Sequence, residues 1–186
     1  SWAQQSSTLE IISADLLQGA SGFERLLGAV KMKHQNSLIY CDSAHFYRGE
    51  NRAQLFGRVR IEDEKDPITT KSSYAEYDGN TKIAKLRKNV VFTNQKTTLY
   101  TEFLDYNRET NVANYFDKGK VVDSVNVLTS ETGIYEINYE RISFQQDVVL
   151  VNPDYTLKTN DLIYLTVPKT AQTQGLTNIV SKEGYN

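Results

Sequence analysis

With 186 residues, a net charge of -2 and 39% hydrophobic content, the chain is long enough for one domain with a substantial core. Its near-neutral charge argues against nucleic acid as the main partner, and no run of like charges supplies a polybasic membrane patch. No signal peptide is read within these residues, and no apolar run comes near the roughly 20 residues of a membrane helix.

Twelve tyrosines, frequent Val, Ile and Thr, and only 3 prolines make a strand-rich composition. The opening Ser1-Trp2-Ala3 suits a chain trimmed to its mature region. From Leu16 to Leu27 the pattern is consistent with a short helical turn. Beyond it, repetition dominates. A motif of alternating apolar residues ending in Val appears as Leu26-x-Gly28-x-Val30, then Ala53-x-Leu55-x-Gly57-x-Val59. It returns as Ala84-x-Leu86-x-Lys88-x-Val90, Asp117-Lys118-Gly119-Lys120-Val121, Ile142-x-Phe144-x-Gln146-x-Val148 and, worn, Ala171-x-Thr173-x-Gly175-x-Thr177. The valine-like positions are spaced 29, 31, 31, 27 and 29 apart. Tyr47, Tyr77, Tyr106, Tyr135 and Tyr164 keep step, 30, 29, 29 and 29 apart.

About six units result, the first and last partial. Each holds two strands of roughly 8 to 11 residues and two turns. Arg48-Gly49-Glu50-Asn51, Asp78-Gly79-Asn80, Asn107 to Asn111 and Val151-Asn152-Pro153-Asp154 have turn chemistry. Short turns pair successive strands antiparallel, so the expected fold is all-β: an elongated stack of about twelve strands, some 55 to 60 Å long. The first strand of each unit alternates cleanly. The second, as in Leu99 to Tyr106, has apolar residues in both phases. Either a bulge or corner flips its side chains, or both its faces are covered.

Chemistry is scarce. His34 and His45 are the only histidines and Cys41 the only cysteine, so a His/Cys metal cluster is impossible, as is an internal disulfide. A lone cysteine fits a reduced compartment or an exported protein without disulfides. Glu62-Asp63-Glu64 with Asp66 matches no calcium loop and reads as a solvated turn. No phosphate loop or nucleophile elbow is present. Gly57 and Gly119 read as strand glycines that permit a bulge or close packing. Cys41 and His45 would share a strand face about 13 Å apart, too far for a thiol–imidazole pair. The tyrosine column reads as cross-strand packing before a stacking platform for sugars or bases. Arg58, Arg60, Lys85 and Arg87 fall on outward positions and Lys88 does not; a solvated face is the default, an anion patch the alternative.

What remains is a dry stripe: Leu26, Val30, Met32, Leu55, Val59, Ile61, Leu86, Val90, Phe92, Phe144, Val148 and Leu150. If the sheet folds over on itself, the stripe lines a long interior. That interior is either a filled core or a groove for an elongated apolar ligand.

The residues Leu26-x-Gly28-x-Val30 with Cys41-Asp42-Ser43-Ala44-His45-Phe46, and Ala14-Asp15-x-Leu17 before them, resemble the repeat of the OstA-like/LptA-like family of periplasmic lipopolysaccharide transport proteins. The resemblance runs from about Leu9 to Ile179. The asparagine of the usual G-N-V is absent at Ala29 and Arg58 and present at Asn89, and Glu102, Glu131 and Asn160 stand near the acidic position. The resemblance implies a V-shaped or jelly-roll-like antiparallel fold with an open seam; a single domain is expected over 1–186, with residues 1–8 and 180–186 expected to be disordered. It implies an apolar trough, lined by the stripe, that shields acyl chains of lipopolysaccharide or a related glycolipid. It also implies edge-to-edge joining with other β-jellyroll proteins or with itself, and a place in the periplasm or on the periplasmic face of the outer membrane. No catalytic residue, metal or cofactor is carried over, and neither nucleic acid nor a transmembrane segment is expected. The competing reading is a structural or adhesive β-repeat with a filled core and no lipid; a sugar-binding β domain using the tyrosines is a third.

Overall fold

A computed structural model describes residues 7–182. One antiparallel sheet contains sixteen strands. They are β1 (Glu10–Ser13), β2 (Leu16–Ala20), β3 (Phe23–His34), β4 (Ser37–Tyr47), β5 (Arg52–Asp63), β6 (Ile68–Asp78), β7 (Ile83–Asn94) and β8 (Thr97–Asn107). Then follow β9 (Val112–Tyr115), β10 (Gly119–Asp123), β11 (Asn126–Ser130), β12 (Thr132–Glu136), β13 (Arg141–Val151), β14 (Tyr155–Leu165), β15 (Thr170–Thr173) and β16 (Asn178–Ser181). The expected dozen survives in a different form. β1/β2, β9/β10, β11/β12 and β15/β16 each pair with the two ends of one neighbouring strand, so each is one long strand interrupted midway. Sixteen segments thus make twelve rungs. Leu16 to Leu27 is a hairpin of β2 and β3 turning at Gly22 (φ 83°), not a helical turn.

Every rung bends at its middle. In β3, β5, β7 and β13 the bend is a bulge of two left-handed residues: Gly28-Ala29, Gly57-Arg58, Lys88-Asn89 and Gln146-Asp147. Asp117-Lys118 does the same between β9 and β10. Two such residues oppose one on the next strand, which bends the sheet sharply. The one-residue mismatch falls on the second strand of each unit. In β6, Ile68, Thr70 and Ser72 are buried, then Ala75 and Tyr77; the inward phase slips by one at Ser73. β4, β8 and β14 slip alike, at Asp42-Ser43, Glu102-Phe103 and Asn160-Asp161. The corner is therefore what obscures alternation in the second strands.

The corners divide the sheet into two arms that fold face to face over one core. Phe92, beyond the corner of β7, meets Tyr106 and Tyr135 from the opposite arm at ring-centroid distances of 5.2 and 6.0 Å. Asx turns close the rungs: Asp63, Asp78, Asn107 and Asn152 each accept two backbone N–H bonds through Oδ1. Of the ends expected to be disordered, residues 1–6 and 183–186 lie outside the described range. Ser7 bonds His34, and Val180 and Ser181 belong to β16, paired with Thr156 and Tyr155.

Candidate functional site

All twelve stripe residues point into the core, none more than 4% exposed. Leu26, Leu55, Leu86 and Phe144 line one arm before the corner. Val30, Met32, Val59, Ile61, Val90, Phe92, Val148 and Leu150 line the other. Sequence periodicity missed their partners on the second strands, Ile39, Phe46, Leu99, Leu104 and Leu162 among them, because the phase slip breaks the period there. The inward residues that flank each slip stand three apart, as Thr101 and Leu104 do, and three of the four pairs include a Ser or Thr, so apolar spacing alone could not mark them.

Opposite the corners, where the arms' free ends meet, a polar seam closes the core. The His34 Nδ1 and Tyr77 hydroxyl share a bond of 2.6 Å, and His34 Nε2 meets Ser7 Oγ at 2.6 Å. Arg108 Nη2 donates to Asp63 Oδ2 at 2.6 Å, both side chains 10% exposed. Asn94 Nδ2 donates to the Tyr135 hydroxyl at 3.1 Å. The Tyr164 hydroxyl and Lys169 Nζ donate to the fully buried Asp123 carboxylate at 2.7 and 2.6 Å. These partners lie 43, 45, 41, 41 and 46 residues apart. A turn of one arm thus meets a turn about one and a half repeats later. Four of the five columnar tyrosines are seam residues with buried rings; Tyr47 faces out, beneath Arg52. A cleft of about 520 Å³ opens along the seam beside Asn94, Tyr135 and Lys169.

Burial sets the electrostatics. It pushes Tyr106 up to about 12. It lowers His34, because a charged imidazole there would lose hydration and sit near Arg108 and Lys82. Burial alone would raise Asp63, but the N–H groups of Asp66 and Lys65 and the Arg108 guanidinium outweigh it, so its carboxyl lies below the usual value.

Other expected groups part company. Cys41 and His45 are not on one face, because the slip between them turns Cys41 inward, its thiol pushed up to about 12 by burial. His45 faces out between the rings of Phe23 and Phe56, at 4.8 and 4.9 Å. Arg58, Arg60 and Arg87 pair with Asp42, Glu62 and Asp105, which spends their charge locally. Asp63 is no mere solvated turn residue, since it holds the seam. A Cβ at Gly57 would lie 2.5 Å from Asp42 Oδ2, and one at Gly119 would lie 2.5 Å from the Tyr115 ring, so both glycines permit close approach. Among the described residues no group of three or more His, Cys, Asp or Glu could hold a metal, and no helix is long and apolar enough to cross a membrane.

The sequence model of the OstA-like protein family matches residues 6–160. The chain belongs to the OstA-like family. No curated protein matches this OstA-like chain. Among solved structures it is similar to LptH of Pseudomonas aeruginosa, described as the LptA-homologous periplasmic component of the lipopolysaccharide transport device. The TM-score is 0.57 at 15% identity, over 62% of this chain and 95% of LptH. The architecture is therefore the LptA-like fold.

Proposed function

We propose that this OstA-like chain is a non-enzymatic periplasmic protein that takes part in lipopolysaccharide transport, holding lipid acyl chains between its two arms. The observation that carries the reading is the stripe of twelve apolar side chains running the length of the core, with charge confined to the seam. Family membership supports it, as does the LptA-like architecture. Each buried methylene of an acyl chain contributes about 0.8 kcal/mol, so several chains offset a modest cost of opening. Entry requires the seam to part, because the arms pack directly against each other.

Partners are other β-jellyroll proteins or a second copy, joined through the sheet's edges, and the place is the periplasm or the periplasmic face of the outer membrane. A second reading, a structural β-repeat with a permanently filled core, is favoured by the complete burial of the stripe and the laced seam. One experiment separates them. Photoreactive residues at Val59 and at Arg58 are exposed to labelled lipid A, and the purified protein is inspected for co-bound lipid by native mass spectrometry. Labelling at Val59 with little at Arg58 is expected. Labelling at Arg58 alone, with no co-purified lipid, favours the filled core.

A further inference from the structure

Among the described residues, three buried side-chain hydroxyls, those of Ser37, Thr70 and Ser72, have no hydrogen-bond partner. Ser37 lies beside His34 at the seam. Thr70 faces the dry interior, and Ser72 stands at its margin, next to the corner of β6 at Ser73. Thr70 is 1% exposed, directly opposite Ile61 on one side and Phe92 on the other. Ser72 is 6% exposed and opposite Val59. Both point inward from β6, two residues and roughly 7 Å apart. Burying a hydroxyl without a partner is unfavourable, and the facing residues on β5 and β7 are apolar. At the position equivalent to Ser72, Thr101 on β8 and Thr159 on β14 bond backbone carbonyls, which Ser72 does not.

We propose that Thr70 and Ser72 bind oxygen atoms carried within the acyl chains of the ligand. This rests on the lipid reading above and deepens it. The preferred ligand is an acyl chain bearing a hydroxyl or an ester oxygen near its head, not a plain hydrocarbon chain. A hydroxyl of Thr or Ser both donates and accepts, so it serves either group. The hydrocarbon on both sides of that oxygen packs on Val59, Ile61 and Phe92. In the empty protein the two hydroxyls are a standing penalty; in the loaded one they distinguish chains that a purely greasy wall would treat alike.

The test compares tetradecanoate, 3-hydroxytetradecanoate and 3-acetoxytetradecanoate as probes, titrated into the full chain and into a Thr70→Val/Ser72→Ala double variant. Val matches Thr in shape, so the variant keeps its packing. The native protein should bind one oxygenated probe five- to tenfold more tightly than tetradecanoate, about the factor of one neutral hydrogen bond. Which of the two gains shows whether a hydroxyl or an ester is read. In the variant that preference should fall to about one, while tetradecanoate binds as before and the empty protein unfolds at a higher temperature. A preference unchanged in the variant, or absent in the native protein while tetradecanoate binds, overturns the assignment and leaves the lipid reading standing. If none of the three probes binds and labelled lipid A fails to reach Val59, the lipid reading falls and this assignment with it.

Discussion

At the scale of single residues, the corner dihedrals decide most. A left-handed residue other than glycine costs about 1–2 kcal/mol. Gly57 avoids that at φ 76°, whereas Lys88 bears it at φ 67°. Gly57→Ala should therefore destabilise by about 1–3 kcal/mol, from strain and from the Asp42 carboxylate 2.5 Å from the new methyl. Lys88→Gly should stabilise by up to about 1 kcal/mol. Urea unfolding of both variants checks the opposite signs. This scale was half legible in the sequence. A Gly-x-Val motif announces a special backbone at Gly28 and Gly57, whereas in Lys88-Asn89 and Gln146-Asp147 the tolerance of Asn and Asp for the left-handed region is a fainter sign of the same geometry. Their left-handed form is imposed by the neighbouring rungs. Cys41 and His45 were misplaced relative to each other for this reason, since a corner between two residues voids the rule of two.

Elements meet at the seam, and there ionisation matters. His34 has its pKa lowered below 6.5, so the unfolded chain binds more protons than the folded one just below that pH. Its contribution is whole above pH 6.5 and is lost as pH falls through the folded value. The melting temperature should drop as the pH falls below 6.5, and His34→Gln should flatten that drop. Asp63, also lowered, keeps its contribution above its unfolded value of 3.8 and loses it as pH falls further. Because the pair with Arg108 is 10% exposed on both sides, Arg108→Met should cost about 3–5 kcal/mol by stranding a carboxylate. Adding Asp63→Asn should restore much of that, which a double-mutant cycle measures. The tyrosine column was legible as a period of 29 to 30 residues, but its purpose was not. Packing and bridging tyrosines look the same in sequence. The separations of 41 to 46 residues that define the seam arise only once the arms are laid across each other.

Taken whole, the molecule is a folded ladder whose architecture could be read in advance: repeat length, strand pairing, the dry stripe and the turns. Occupancy of the interior could not, because an apolar stripe packs on itself or on a ligand with equal ease. Among the described residues the ladder ends in β1/β2 and β15/β16, where Ile12 and Val180 are 48% and 60% exposed. If those edges join copies, Ile12→Lys with Val180→Lys should abolish concentration-dependent association in sedimentation experiments without changing the fold, since lysines on open edges discourage strand addition.

The half-step stagger of the seam makes the gene for such a chain tolerant of one kind of edit only. Excising a whole period, for example residues 59–89, would splice β5 to β7 at matching points, Arg58 running into Val90, and leave a shorter prism of the same cross-section. Excising half as much would set bends against straight runs and clasp donors against hydrocarbon. Length in this architecture is therefore counted in cassettes, and evolution can lengthen or shorten the body without redesigning its wall.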